Sequence, residues 1–313
     1  MKNIIVIIVV ALLVIGGAVF YFYSNQDGAS YTKDETEKVV VPDVEPVTSD
    51  DMVDESATAV EEMDSRGPIS TIGKSAGGED ILAYHFGDGD QELIFVGGIH
   101  GGYSWNTALM SFEMIDWLKS NPSVVPENVT VTVIPVLNPD GLKKVTGTSG
   151  KFTAAQVVAS DAVKTEGRFN ADNVDLNRNF DCEWQPVGTW QDREVSGGKT
   201  VFSEPETQAL RDYVKKNQPT AVVAWYSAAG GVYSSSCKNG ILPETKTLTN
   251  LFAKAAGYPA YEEFNYYEIT GDMVNWLAGQ NIPAISVLLT TRENTEWSKN
   301  RAGIEAVLKH YAE

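Results

Sequence analysis

The stretch ELIFVGGIHGG, Glu92–Gly102, decides the fold class. Its first half is an unbroken apolar run between a charge and two glycines, the composition of a strand buried on both faces. His100 follows directly, where such a strand would end. The next segment, Asn106–Lys119, puts Leu109, Phe112, Ile115 and Leu118 on one side, the period of an amphipathic helix. Val129–Val136 (VTVTVIPV) reads as a second strand, stopped by Asn138-Pro139-Asp140-Gly141, a turn sequence. Farther along, Glu204–Lys216 is helical, with Ser203 and Glu206 at capping-box spacing. Thr220–Tyr226 is a strand, Leu248–Ala256 and Asp272–Gly279 are helices, Ala284–Leu289 is a strand, and Ala302–Tyr311 is a closing helix. The alternation predicts one α/β domain with a mainly parallel or mixed central sheet flanked by helices. Open α/β sheets bind ligands beyond the carboxyl ends of their strands. That rule singles out His100, the loop after Tyr226, and the polar segment from Arg168 through Asp175-Leu176-Asn177-Arg178-Asn179-Phe180.

The 313 residues carry 24 Lys and Arg against 42 Asp and Glu, a net charge of −18. So acidic a chain lacks the basic footprint of a nucleic-acid binder. Its two cysteines, Cys182 and Cys237, exclude a four-cysteine metal site, and its three histidines are His85, His100 and His310. Uncharged residues from Ile4 to Tyr23 match the length of a membrane-spanning helix, so residues 1–23 are expected to be an uncleaved anchor. Lys2 lies on one flank and Asp27 and further acids on the other, which predicts a cytoplasmic N-terminus and an extracytoplasmic main domain. A cleaved signal peptide is the rival reading, but the run ends in the aromatic Phe20-Tyr21-Phe22-Tyr23 rather than in small residues. Residues 24–65 are acidic, poor in large apolar side chains and without period, and read as a solvated tether. The folded domain is then expected over 66–313.

The ordered motifs of that domain resemble the zinc carboxypeptidases related to carboxypeptidase A. They are the Gly97-Gly98-Ile99-His100-Gly101 strand end, Asn138–Gly141, Asp175–Phe180, Phe202-Ser203-Glu204-Pro205-Glu206, a strand ending at Ser227, Tyr267 with Thr270-Gly271, and Ile282–Val287. The resemblance covers about four fifths of the chain, from Ile69 onward. It implies chemistry at zinc held by two His and one Glu, with another Glu as general base. His100 matches the first ligand. The other metal positions hold Tyr103 or Ser104, and Tyr226, before Ser227. The base position holds Leu288, or Leu289 if the register slips. His85 and His310 are poorly placed to replace a ligand, and Glu293 and Glu296 could do so only by swinging inward.

By the same resemblance Arg168 matches an oxyanion-stabilising Arg, Asn177 and Arg178 match a clamp for the substrate's terminal carboxylate, Tyr267 matches a mobile Tyr, and Val274 matches a side-chain selector. Each has a blander alternative. Arg168 or Arg178 could be tied to Asp175 or Glu204, Asn177 could only hold its own loop, and Tyr267 could be an ordinary surface aromatic. Cys182 and Cys237 are expected to be bridged near the pocket rim in an extracytoplasmic domain. The leading expectation is a membrane-anchored pseudoenzyme that recognises peptide or cell-wall stem-peptide C-termini, with zinc weakly held or absent. The alternatives are an active metallocarboxypeptidase with an atypical metal site and a structural envelope protein with a decayed pocket.

Overall fold

A computed structural model describes residues 67–312. The expected anchor and tether lie outside the described residues. Among the described residues, no helix is long and apolar enough to cross a membrane.

Eight strands form one sheet: β1 Ile69–Lys74, β2 Asp80–Phe86, β3 Gln91–Val96, β4 Val129–Ile134, β7 Ala221–Ser227, β8 Gly231–Ser234, β9 Ala260–Tyr261 and β10 Ala284–Leu289. Their spatial order is β1-β2-β4-β3-β7-β10-β8-β9. The central four, β4-β3-β7-β10, run parallel, while β1, β2 and β8 pair antiparallel at the flanks. A short hairpin, β5 Val187–Trp190 and β6 Arg193–Ser196, stands apart. The helices are α1 Trp105–Ser120, α2 Pro139–Thr146, α3 Asp161–Glu166, α4 Pro205–Asn217, α5 Pro243–Ala256, α6 Met273–Gly279 and α7 Trp297–Tyr311.

The parallel strands are apolar on both faces because helices cover both, and their alternation divides the core in two. Leu93, Phe95, Val223, Trp225, Val287 and Leu289 pack on one side with Met110, Phe252 and Ile304 of α1, α5 and α7. Ile94, Val96, Val222, Ala224, Tyr226 and Leu288 belong to the other side, with Leu210 of α4 and Trp276 of α6. The expected α/β architecture is the observed one.

Two local expectations are corrected. Asn138-Pro139-Asp140-Gly141 opens a helix rather than a turn: the Asn138 side chain accepts from Gly141 N at 2.8 Å, and Pro139 fills the first helical position. A proline is tolerated there because that N–H has no intrahelical partner. The capping box of Ser203 and Glu206 does not form. Glu204 is the N-cap residue of α4, Ser203 donates to Glu204 Oε1, and Glu206 turns into the protein. Helices α4 and α5 both begin at a proline, and α5 starts earlier than the apolar period of Leu248–Ala256 suggested.

Glu206 is completely buried. Its Oε1 accepts from Ala76 N at 3.0 Å, and Asn170 Nδ2 is shared between Glu206 and Glu204. Burial pushes the Glu206 carboxyl up to about 7. A carboxyl raised in the folded state binds its proton more tightly there than in the unfolded chain. Its contribution is therefore full below the ordinary value of 4.5 and is lost as pH rises to about 7. We expect Glu206→Gln to raise Tm at pH 8 by about 2–4 °C for each kcal/mol of relieved charge burial, and to have little effect at pH 4.5. Calorimetric scans at both pH values check this, and an equal change at both would contradict it.

Candidate functional site

The sheet positions a cavity of about 590 Å³ at the carboxyl ends of its parallel strands, where His100 follows β3, Tyr226 ends β7 and Leu288 ends β10. In the β7–β10 pairing Leu288 lies directly beside Tyr226. Strand alternation settles which leucine faces the site. Leu288 lines the cavity, whereas Leu289 is buried in the core on the opposite side of the sheet.

His100 is 6% exposed, and neither of its ring nitrogens has a hydrogen-bond partner. Its Nε2 lies 3.9 Å from Asp175 Oδ1, and its ring centre lies 5.5 Å from that of Tyr226. Burial, reinforced by the Arg168 charge, holds its pKa well below the usual histidine value, so the imidazole is neutral. The Tyr226 hydroxyl is directed at Asn177 Oδ1 at 3.4 Å. Burial pushes it well above the usual tyrosine range, which keeps it a phenol. Ser104 is buried and does not line the cavity. Tyr103 sets its ring edge-on against Trp190 at 4.8 Å.

These residues do not fit a zinc ion. Zinc prefers several imidazole, thiolate or carboxylate donors, and this site offers one imidazole, a phenol that stays protonated and a leucine. Of the nearby carboxylates, Asp175 is committed to Arg168 and Asp272 to Asn177. Among the described residues, no group of three or more His, Cys, Asp or Glu is placed to hold a metal. His85 is bonded to Ser70 and Thr132, and His310 to Glu244. Neither Glu293 nor Glu296 lines the cavity, and Glu296 accepts from the Thr290 backbone and hydroxyl.

The other expected residues do converge on the cavity. Asp175 caps the tight turn Leu176–Arg178 by accepting from Asn177 N at 3.2 Å. Its Oδ2 accepts from Arg168 Nε at 2.9 Å and pairs with the charge at Nη2, 2.8 Å away, and the Arg168 guanidinium lies 4.4 Å from the Trp190 ring centre. Burial alone would raise the Asp175 carboxyl, but the charges of Arg168 and then Arg178 leave it below its ordinary value. For Arg168 the blander alternative is therefore the observed one: a buried ion pair.

Arg178 differs. It is 1% exposed, yet no carboxylate lies within ion-pair distance among the described residues. Its Nε and Nη2 donate to Thr189 O at 3.2 and 2.7 Å, and Nη1 donates to Asn177 O at 2.7 Å. Of the five N–H groups of a guanidinium, those bonds leave one on each terminal nitrogen. Tyr267 lines the cavity beside it, with its ring centre 5.9 Å from the guanidinium. Val274 is buried in the cavity wall. Asn177 ties two elements together, donating to Asp272 Oδ2 at 2.7 Å and accepting from Met273 N at 3.1 Å.

Asp272 and Arg292 are among the cavity residues that the sequence reading did not single out. Asp272 was legible only as a helix start, and it is also the buried partner of Asn177. Burial raises its carboxyl above the ordinary value. Arg292, in the loop after β10, carried no periodic or motif signal. Cys182 and Cys237 are disulfide-bonded, with Cα atoms 6.1 Å apart, and their neighbours Glu183 and Ser236 line the cavity.

The chain matches the zinc carboxypeptidase family model over residues 55–306 and belongs to that family. It is 25% identical over 160 residues to carboxypeptidase D of Mus musculus, covering 47% of this chain and 10% of that protein. It is 21% identical over 215 residues to gamma-D-glutamyl-L-diamino acid endopeptidase 1 of Lysinibacillus sphaericus, covering 63% of this chain and 54% of that one. With murein peptide amidase A of Escherichia coli strain K12 it shares 29% identity over 129 residues, or 38% of this chain and 50% of the relative. The chain thus spans a tenth to about half the length of these curated relatives. The fold is that of murein-tripeptide amidase from Escherichia coli O157, with a TM-score of 0.55 at 21% identity over 78% of this chain and 92% of that one. It is also that of bovine thrombin-activatable fibrinolysis inhibitor, with a TM-score of 0.62 at 15% identity over 77% and 89%.

The donor chemistry of the site leads to a direct expectation. After incubation with zinc and removal of free metal, the purified protein should retain well under one zinc per chain by mass spectrometry. A tightly held stoichiometric zinc would overturn this reading of the site.

Proposed function

We propose that this domain binds peptide C-termini without hydrolysing them. The observation that carries the reading is Arg178, a buried guanidinium with no ion-paired carboxylate among the described residues, set beside Tyr267 and Val274 in the cavity wall. Burying an unpaired charge is costly, and a ligand carboxylate would relieve that cost through two parallel hydrogen bonds. The groups that would cleave a bond are replaced, since Leu288 cannot accept a proton and only His100 of the three metal positions keeps a donor that zinc prefers. The names of two bacterial relatives, a murein peptide amidase and a gamma-glutamyl diamino acid endopeptidase, point to cell-wall stem peptides as the ligand class. Val274 favours an apolar or slender terminal side chain.

An N-terminal anchor over Ile4–Tyr23 would hold the domain at the outer face of a membrane, with residues 24–65 as the tether. The full-length chain should then fractionate with membranes and keep its first residues. An N-terminus that begins after Tyr23 on sequencing would instead make the domain secreted.

Calorimetry with matched peptides tests the binding reading. A peptide with a free C-terminus should bind, and its amidated twin should bind about 2–5 kcal/mol more weakly, the cost of removing one partner of a buried charge pair. Arg178→Ala should cause a similar loss with the free peptide, with Tm followed because Arg178 also holds the Thr189 and Asn177 carbonyls. The peptide should emerge intact. Equal affinity for both forms would defeat the proposal, as would zinc-dependent release of the terminal residue.

A further inference from the structure

Arg292 follows β10 in the loop that leads to α7 and lines the same cavity as Arg178. Its guanidinium carbon lies 4.4 Å from the ring centre of Tyr103. Its Nε is buried and has no hydrogen-bond partner. Among the described residues, no carboxylate lies within ion-pair distance of it. Glu296, in the same loop, is taken by Thr290 and Lys299. A cation–π contact with Tyr103 orients the guanidinium but leaves its in-plane donors open.

The two uncommitted arginines occupy different parts of the wall. Arg178 lies by Tyr267, whereas Arg292 lies by Tyr103, which also stands 5.8 Å from the Arg168 guanidinium. Arg168 is neutralised by Asp175 through Nε and Nη2, so its charge is balanced within the protein. His100 lines the cavity as well, with two unpartnered ring nitrogens in a nine-tenths buried side chain. A neutral imidazole of this kind can donate one hydrogen bond to an oxygen. The positions where the family places carboxylates hold Tyr103 or Ser104 and Leu288, so no acid at those positions repels an incoming anion; the acids that line the cavity, Glu183, Glu263, Glu268 and Asp272, are at other positions.

We propose that Arg292 is a second anion-binding point, which takes a carboxylate carried by the peptide upstream of its terminal one. The inference rests on the C-terminal binding reading and adds a sequence preference to it: the preferred ligand is acidic at the residue before the last. Arg178 holds the terminal carboxylate, and the chain then runs past His100 toward Arg292 and Tyr103. Arg is suited to this task because its planar fork matches a carboxylate.

The test is calorimetry of N-acetylated peptides with free C-termini, in Glu and Gln pairs at the last, penultimate and antepenultimate positions. The wild-type protein should bind the penultimate Glu peptide at least tenfold more tightly than its Gln twin. Arg292→Gln should erase that preference while keeping the discrimination between free and amidated termini. Arg292→Lys should restore part of the preference, which a merely structural role for Arg292 would not do. Equal affinity for Glu and Gln at all three positions overturns the inference, as does a preference that survives in Arg292→Gln with an unchanged Tm. Loss of the distinction between free and amidated termini overturns the underlying reading instead. No binding of any peptide overturns both.

Discussion

The buried carboxylate of Asp175 organises the site. One oxygen takes the Arg168 guanidinium, and the other accepts from Asn177 N and so shapes the turn that presents Asn177 and Arg178. The same group lies within 3.9 Å of His100. The hairpin of β5 and β6 closes over the arrangement: Trp190 lies against Arg168, Thr189 O receives Arg178, and Ser196 O receives Asp175 N. A single ionised acid, fully desolvated, thus sets the positions of two arginines and one histidine. Removing it would leave buried positive charge without compensation, which costs far more than losing an exposed pair.

That balance explains why an anion is the fitting occupant. Arg168 is neutralised by Asp175, but Arg178 and Arg292 have no such partner among the described residues. Asp272 is buried nearby, and its carboxyl is raised, held by Asn177 and the start of α6 rather than by an arginine. Arg178 forms no ion pair among the described residues, although its charge reaches Asp175 and Asp272; guanidinium donors in a partly enclosed space act at reduced dielectric, where an incoming carboxylate gains more than it would in water. In the family's metal chemistry a dication, its one Glu ligand and a second Glu as base occupy this place. Here the metal-position side chains are neutral, and the remaining positive charge belongs to arginine.

Much of this was legible in the sequence, for identifiable reasons. Strand and helix periods located the elements that build the core, because burial on both faces of a parallel sheet leaves continuous apolar runs. Motif order pointed to His100, Asn177, Arg178 and Tyr267, and the structure brings all four to one cavity. The choice between Leu288 and Leu289 needed the sheet, since alternation only becomes a direction once one face is known. Arg168 was ambiguous because an arginine seven residues before an aspartate reads the same whether or not the loop folds back. Asn138–Gly141 misled because Asn-Pro serves both turns and helix starts, and only the residues beyond Gly141 separate the two. Arg292 was invisible, for a loop residue gains its meaning only from which side chains the loop happens to face.

The bond between Cys182 and Cys237 makes the pocket dependent on its chemical surroundings. It joins residues 55 apart, and the chain-entropy model assigns such a closure about 4 kcal/mol. Cys182 O also accepts from Gly271 N at 2.7 Å, so the bridge is coupled to the segment between Tyr267 and Asp272. Glutathione at cytosolic poise would keep the two thiols apart and unlatch the loops that carry Glu183 and Ser236. Protein made in an oxidising compartment and protein made in a reducing one would therefore present different rims to the same ligand.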